Sequence, residues 1–251
     1  MTIAPQLPQF YRLHHLERID STNEEAKRLA AAGAPEGTLI WADAQSAGRG
    51  RRGRDWVSPP GNLYLSLLLR PSCTPAQAAQ LGFAASLAVA ETCASVLPAE
   101  AAPRCKWPND VLVGGRKIAG TLLESRAGAI DRLEFLVIGI GINVASYPEG
   151  TEYPAISLAA AGAEVTPATL LPILGERLLA WHEVWRGPAG FAALRSAWLA
   201  QAIGLGDEIR VRLPERELHG RFAGLDEHGH LLLDGPGGTT PITAAEIFPA
   251  A

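Results

Sequence analysis

The sequence predicts an α+β chain in two unequal parts, and three observations carry that prediction. Strand and helix patterns are interleaved as far as about residue 202, whereas after Gly204 the pattern changes to short strands alone. Those last strands (DEIRVRL, ELHGRFAGLD, HLLLD and a short piece near Ile247) are joined by Gly, Pro and Asp turns, the spacing of a small barrel. The 251 residues, 47% of them hydrophobic, are enough for one large domain and a small one, with a core that needs no covalent staples.

The elements follow in order. Residues 1–14 hold two prolines and little pattern and read as a loose lead-in. Ser21-Thr22 precedes EEAKRLAAAG, where Thr22-x-x-Glu25 matches a capping box and Gly33 is placed to stop the helix. TLIWADAQ (38–45) and NLYLSLLLRP (62–71) are strands on either side of an arginine-rich loop. Thr74-Pro75 opens an alanine-rich helix reaching about Leu97, with proline at a position where its missing N–H does no harm. VLV, Gly114-Gly115 and RKIAGTLLE form a hairpin over 111–124, and EFLVIGIGINV (134–144) is another strand. Two helical stretches follow, about 167–186 and 189–200. The expected division is a lead-in over 1–14, a main domain over 15–202 and a small barrel over 203–251.

Composition narrows the function classes. Asp and Glu outnumber Lys and Arg 26 to 22, for a formal net charge of -4, so a general nucleic-acid binder is disfavoured and any anion recognition is local. Three cysteines, Cys73, Cys93 and Cys105, have no paired spacing and offer neither a disulfide framework nor a zinc site; no metal ligand set is expected. The start lacks the apolar stretch of a signal peptide and no run reaches membrane-spanning length, so the expected address is the cytoplasm, with no membrane partner.

Against that acidic background, GRGRRGRDW (48–56) sets four arginines among three glycines. Gly48-x-Gly50-x-x-Gly53 matches a dinucleotide fingerprint literally, but the loop runs into a strand and not a helix, so no helix N-terminus is present to hold a pyrophosphate. A protein-kinase glycine loop is excluded because Asp55 stands where valine is expected and no V-A-I-K lysine follows. Planar guanidinium forks suit carboxylate and phosphate, while a solvated or nucleic-acid-contacting loop is the alternative. In CKWPNDVLVGGRKIAG (105–120), Pro108 holds Trp107 extended, and Asn109-Asp110 forms a turn at a sheet edge. Lys117 follows the hairpin turn, and a period of two places it on the face of Ala119 and Thr121, either in a pocket or as a solubilising surface lysine. In VIGIGINV, Val137, Gly139, Gly141 and Asn143 share one face; repeated glycines imply close approach, by a packed helix or by a ligand. Ser21, Thr22 and Asn23 are sufficiently explained as helix caps.

DSTNEEAK (20–27), AQSAGRGRRGRDWVSPPGNLYLSLLLRP (44–71), KWPNDVLVGGRKIAGTLLE (106–124) and VIGIGINV (137–144) resemble, in order and spacing, the biotin–protein ligases, also called biotin–[acetyl-CoA-carboxylase] ligases. FAGLDEHGHLLLD (222–234) resembles that family's small C-terminal domain, and the likeness covers roughly 15–248. The resemblance implies a mixed-sheet catalytic domain of the biotin/lipoate ligase type with helices, followed by a small SH3-like β-barrel. With about fourteen residues before the first motif, the chain looks like a single-function ligase without the N-terminal winged helix of the repressor members.

The chemistry so implied is ATP-dependent attachment of biotin to a specific lysine of a biotin carrier protein through biotinyl-5'-AMP. ATP and biotin are the substrates, and Mg²⁺ accompanies ATP with no protein ligand assigned. By the resemblance, Arg49, Gly50 and Arg51 contact the biotin carboxylate and the adenylate phosphate, and Lys117 touches both. Ser21, Thr22, Asn23 and Gln45 meet the biotin head, Trp56 covers the ligand, and Gly120 is a close backbone contact. Arg54, Asn109 and Asn143 join Arg51 and Lys117 on the adenylate side. Lys117, Arg51 and Asp110 are the catalytic set, with Asp110 placed to help the incoming lysine amine lose its proton. The implied partner is the biotin carrier domain of a carboxylase such as acetyl-CoA carboxylase, with no nucleic acid and with pairing into a homodimer open. Lipoate ligase and octanoyl transferase are the nearest competing readings, a nucleic-acid-binding protein the competitor from another class, and an inactive biotin-sequestering scaffold shares every motif.

Overall fold

The computed structural model describes residues 5–128 and 132–249. β1 (Arg12–Ile19), α1 (Thr22–Ala31) and β2 (Thr38–Gln45) open the chain as a strand–helix–strand unit with the two strands parallel. The segment read as a lead-in therefore already contains the start of a strand. Tyr11 within it is buried, and its hydroxyl donates to the Gly175 carbonyl at 2.8 Å. β3 (Leu63–Leu69) runs antiparallel to β2 and is buried at every position, because both faces of the sheet are covered. Leu63, Leu65, Leu67 and Leu69 enter the main core, while Leu68 joins a smaller core with Ala26, Ala30, Ile40, Phe135 and Val137 beneath α1.

α2 (Pro75–Ala79) and α3 (Leu81–Ala94) replace the single helix expected from Thr74 to Leu97, the two meeting at Gln80, whose backbone stays helical. Thr74 caps the first of them reciprocally with Gln77, a capping box of the kind that Thr22 does not form. α3 is apolar nearly all round because it is enclosed between the sheet and the later helices α4 (Pro167–Arg186) and α5 (Gly190–Gln201).

β4 (Arg104–Lys106), β5 (Asp110–Val113), β6 (Arg116–Ala127) and β7 (Leu133–Ile142) complete a seven-stranded mixed sheet in the order β1-β2-β3-β7-β6-β5-β4. The β5–β6 turn has Gly114 and Gly115 at φ 56° and 75°, backbone that a non-glycine residue adopts only with strain. Beyond α5, β8 (Glu208–Arg212), β9 (Glu217–Leu225), β10 (Leu231–Gly235), β11 (Gly238–Ile242) and β12 (Glu246–Pro249) form an antiparallel sheet in the order β11-β10-β9-β8-β12. β11 is a strand absent from the sequence reading.

The two sheets share one apolar core, to which Ile209, Val211, Phe222, Leu225 and Leu231 contribute from the second. Polar ties reinforce it: Trp107 Nε1 donates to the Gly229 carbonyl at 3.1 Å, and the Ile203 N–H to the Cys105 carbonyl at 2.9 Å. The Trp107–Pro108 peptide bond is cis. The consequence for function is positional. β12 brings Glu246 and Ile247 to the cavity in which the sequence motifs converge.

Candidate active site

On its α1 face the large sheet is covered by that helix over Val137 and left open beyond it. The alternation along β7 explains the opening. A side chain at Gly139 would overlap the Asn23 carboxamide in the first turn of α1, and a Cβ at Gly141 would stand 2.5 Å from Trp56 Cε2. The packed-helix reading of the glycine strand holds at Gly139, where Asn23 of α1 packs, whereas Gly141 is approached by the Trp56 indole. Above this floor lies a cavity of about 350 Å³, lined by every residue that the family resemblance names as a contact, from Ser21, Thr22, Asn23 and Gln45 at one end to Asn143 at the other. Gly141→Ala is expected to push the Trp56 indole out of place and to lower kcat/KM of the reaction in this cavity by about 10²-fold, the cost of an ångström-scale misplacement, measurable by steady-state kinetics.

The arginine loop is itself a small hairpin. Arg49 bridges Asp55, the Gly50 N–H donates to the Arg54 carbonyl at 2.7 Å, and the Trp56 N–H to the Gly48 carbonyl at 2.9 Å. Its tip is a single 3₁₀ turn, Arg51–Gly53, in which Arg52 takes φ 57°. This compact ladder splays its arginines in different directions. Arg49 pairs with Glu24 of α1, and Arg51 Nη1 donates to Asn109 Oδ1 at 3.1 Å. Arg54 lies 2.8 Å and Arg52 3.6 Å from Glu246 Oε1. Cations exceed carboxylates in the lining: Arg49, Arg51, Arg52, Arg54, Lys106 and Lys117 face Asp55, Asp110, Glu152 and Glu246. Burial pushes the Arg51 guanidinium and the Lys106 ammonium below their ordinary values, because each charge is partly withdrawn from water, which an anion in the cavity would offset.

Lys117 reaches the cavity by a route that period-two counting misplaces. β5 pairs Val111 with Ala119 but Leu112 with Lys117, a bulge that shifts the register by one residue and changes the parity of β6. Lys117 therefore lies over Gly120, not beside Ala119 and Thr121: a Cβ on Gly120 would meet Lys117 Cε and Nζ at 3.1 Å and Trp56 Cζ3 at 3.2 Å. Lys117 Nζ is 5.2 Å from the centre of the Trp56 ring and 2.7 Å from Asp110 Oδ1. The carboxylate and the ammonium form a charge pair beside Asn109, whose own side-chain amide donates to the Thr121 carbonyl.

At the opposite end the wall is polar and buried. Ser21, Thr22 and Asn23 are each no more than 4% exposed, and Ser21 starts the helix without any side-chain cap. The Thr22 hydroxyl and the Asn23 amide are engaged elsewhere and the helix has no side-chain cap, which overturns the cap interpretation. The Thr22 N–H donates to Gln45 Oε1 at 2.8 Å, and Gln45 Nε2 donates to Ser58 Oγ at 2.9 Å. Ser66 of β3 contacts both Asn23 Oδ1 at 2.6 Å and Thr22 Oγ1 at 2.8 Å. Ser66 carries a sequence signal that went unread: it is a lone hydroxyl within LYLSLLL.

Two further residues were missed. Tyr153, from the proline-containing loop, donates its hydroxyl to Glu246 Oε2 at 2.6 Å and stacks on Phe248 with ring centres 5.5 Å apart. Burial, with that bond to a carboxylate, pushes the Tyr153 hydroxyl up to about 12. For Glu246 burial alone would raise the carboxyl, but the Tyr153 bond and the Arg54 and Arg52 charges outweigh it and hold it low. Nothing in the sequence between 145 and 155, or in the short β12, marks these positions as part of a site.

The cavity thus joins a neutral hydrogen-bonding end, a glycine floor under an indole, and a cationic end. Comparison with known proteins gives the family. The Biotin/lipoate A/B protein ligase family description matches residues 15–143, and the Biotin protein ligase C terminal domain matches 204–248. The chain is 41% identical over 239 residues to the biotin--[acetyl-CoA-carboxylase] ligase of Paracoccus denitrificans, covering 93% of this chain and 98% of that protein. Its fold superposes on the biotin protein ligase of Aquifex aeolicus in complex with biotin and ATP with a TM-score of 0.81, at 29% identity over 95% of this chain and 99% of that one. The Leishmania major ligase in complex with biotinyl-5-AMP gives 0.66, at 26% identity over 94% and 100% of the two chains. Family matches to both domains and near full-length likeness to a named ligase lead to one conclusion: this chain belongs to the biotin/lipoate A/B protein ligase family, and within it to the biotin protein ligases.

Proposed function

We propose that this chain, as a biotin–[acetyl-CoA-carboxylase] ligase, attaches biotin to a lysine of a carrier domain in two steps within this one cavity. In the first, a biotin carboxylate oxygen attacks the α-phosphorus of ATP and pyrophosphate leaves, forming the mixed anhydride biotinyl-5'-AMP. In the second, the acceptor lysine's amine attacks the anhydride carbonyl, AMP leaves with the bonding pair, and the amine gives up its proton. The observation that carries the reading is the cavity's two-ended chemistry: Thr22 and Gln45 at a buried polar wall, Arg51 and Lys117 at the other end.

The side chains supply the following. Thr22, Gln45 and their neighbours hold a ureido head, which both donates and accepts hydrogen bonds. Arg51 and Lys117 offset the repulsion between two approaching anions, an effect that grows as charge builds on the α-phosphate. When Lys117 turns to that phosphate it leaves Asp110, now 2.7 Å away, without its charge partner and free to take the amine's proton in the second step. Trp56 covers the anhydride against water. Mg²⁺ enters with ATP. Asp110, Glu152 and Glu246 each stand in an ion pair, and no cluster of three or more potential ligands occurs among the described residues. An ion arriving with ATP would be held mainly through phosphate oxygens and water, as Mg²⁺ commonly is with nucleotides.

The partner in this reading is the biotin carrier domain of a carboxylase such as acetyl-CoA carboxylase. No helix among the described residues is long and apolar enough to cross a membrane. The reducing cytoplasm suits three free cysteines, two of them buried. Two copies pairing along the edge strand β1 is the arrangement a homodimer would take, checked by analytical ultracentrifugation.

ATP/pyrophosphate exchange with biotin, with lipoate and with neither tests the function. Exchange is expected with biotin alone. A dithiolane ring cannot bond to the Thr22 and Gln45 wall, and a site built to hydrogen-bond its substrate rejects an analogue lacking those groups by about 10⁴-fold. Exchange with lipoate but not biotin would overturn the assignment.

A further inference from the structure

We infer that Glu124 of β6 is the positioning residue that fixes the hydrogen-bond polarity of the biotin-head wall, committing the Thr22 hydroxyl to accept from a substrate N–H. The inference rests on the biotin reading above and concerns a residue outside the cavity lining.

The direction of each bond in the wall can be worked out from Glu124 inward. A carboxylate only accepts, so Asn23 must turn its Nδ2 toward Glu124 Oε2, which lies at 2.7 Å. Asn23 Oδ1 then faces Ser66 Oγ at 2.6 Å and can only accept, so the single Ser66 proton is spent there. Thr22 Oγ1, 2.8 Å from Ser66 Oγ, meets a lone pair on that side. On its other side, at 3.1 Å, is Gln45 Oε1. That oxygen is fixed as an acceptor by the Thr22 N–H at 2.8 Å, while Gln45 Nε2 is held by Ser58 at 2.9 Å. The Thr22 proton is therefore consumed inside the wall, and its lone pairs are left for the cavity. That arrangement suits a ureido N–H.

The charges around Glu124 hold it in this state. Lys27 Nζ lies 3.0 Å from its Oε1 and Arg49 Nη2 3.7 Å, with Glu24 of α1 completing the group through Lys27 at 2.6 Å and through Arg49. Burial alone would raise the Glu124 carboxyl, but the bonds from Asn23 and Lys27 and the nearby cations hold it low, so it stays an acceptor at neutral pH. Gly139 serves the same arrangement, since any side chain there would displace Asn23.

A neutral amide at position 124 removes the constraint. Glutamine can present N–H to Asn23 Oδ1, Asn23 can turn over, Ser66 then accepts from it and donates to Thr22, and a Thr22 lone pair is lost to the substrate. The test is biotin-dependent ATP/pyrophosphate exchange by wild type, Glu124→Gln and Glu124→Asp, with biotin and with biotin N-methylated at each ureido nitrogen in turn. Wild type is expected to discriminate against one of the methylated forms. In Glu124→Gln the KM for biotin should rise about five- to tenfold, the size of one lost hydrogen bond, with the KM for ATP unmoved and the preference over that methylated form reduced by a similar factor. Glu124→Asp should retain the preference. If Glu124→Gln does not fold, Ser66→Ala leaves the ion pairs in place and removes the hydroxyl that can turn to donate to Thr22, while Gln45 Oε1 still takes the Thr22 proton, so the preference is expected to persist, and its loss there overturns the chain of bonds from Glu124. An unchanged preference in Glu124→Gln, or none in the wild type, overturns the role of Glu124. Absence of biotin-dependent exchange in wild type overturns the biotin reading itself, and the two failures are told apart by the wild-type arm.

Discussion

Lys117→Ala is expected to lower biotin-dependent ATP/pyrophosphate exchange by about 10²–10³-fold, the scale of losing one positioned electrostatic group at a reacting centre. The position of Lys117 explains why the loss should be large. It projects over Gly120 into the cavity because of the β5–β6 bulge, and its ammonium lies between the Trp56 ring and Asp110. Removing it withdraws a positive charge from the meeting point of two anions. It also leaves Asp110 as an uncompensated negative charge in the same place, which opposes substrate binding as well as reaction. Lys117→Ala combined with Asp110→Asn is therefore expected to recover about tenfold in exchange while losing the transfer step, because relieving the repulsion helps adenylation and removing the carboxylate withdraws the proton acceptor. Near-normal exchange in Lys117→Ala would take Lys117 out of the mechanism, and no recovery in the double variant would remove the charge argument for Asp110.

The same bulge shows where the sequence was legible and where it was not. β2, β3, the β5–β6 hairpin and β7 carry strong apolar runs and appear where those runs lie. β1 does not: RLHHLERI has no buried position, since it forms an edge covered only in part, so no alternation marks it. β11 is hidden for a similar reason, an exposed edge strand containing Gly238 and Pro241 that reads as turn. Thr22-x-x-Glu25 has the letters of a capping box, but Thr22 is bonded to Gln45 across 23 residues of sequence, a tertiary contact that a local motif cannot reveal. The gathering of the motifs into one cavity was expected from family resemblance. The layer behind them, Ser66 and Glu124, and the Tyr153–Glu246 tie from the second sheet, depend on distances that no spacing encodes.

Arg51→Gly is expected to make the enzyme release biotinyl-5'-AMP about 10–100-fold faster and to biotinylate bystander lysines that wild type leaves unlabelled. Arg51 is the one loop arginine whose guanidinium reaches Asn109, fastening the hairpin tip to the β4–β5 turn across the cavity, whereas Arg49, Arg52 and Arg54 are committed to Glu24 or Glu246. Its fork is also largely desolvated, so an adenylate phosphate is the partner that compensates its burial. Glycine removes both the fastening and the phosphate contact while sparing the hairpin's own backbone ladder, which uses Gly50, Arg54, Gly48 and Trp56. A charge-assisted hydrogen bond contributes about 1.5–3 kcal/mol, and each 1.4 kcal/mol is tenfold in retention, which sets the range given. Adenylation should survive in part, since Lys117 remains, and the escaped anhydride acylates any exposed amine with loss of AMP. Labelling of serum albumin without carrier domain, alongside the release rate of the intermediate in a filter assay, measures both effects. Arg51→Lys separates them from simple charge loss: it keeps the cation but lacks the planar fork, so it should fall between wild type and glycine. Unchanged specificity in Arg51→Gly would mean that the indole of Trp56 and the Lys117 contact retain the intermediate without the loop, and that the arginine cluster serves only to admit ATP.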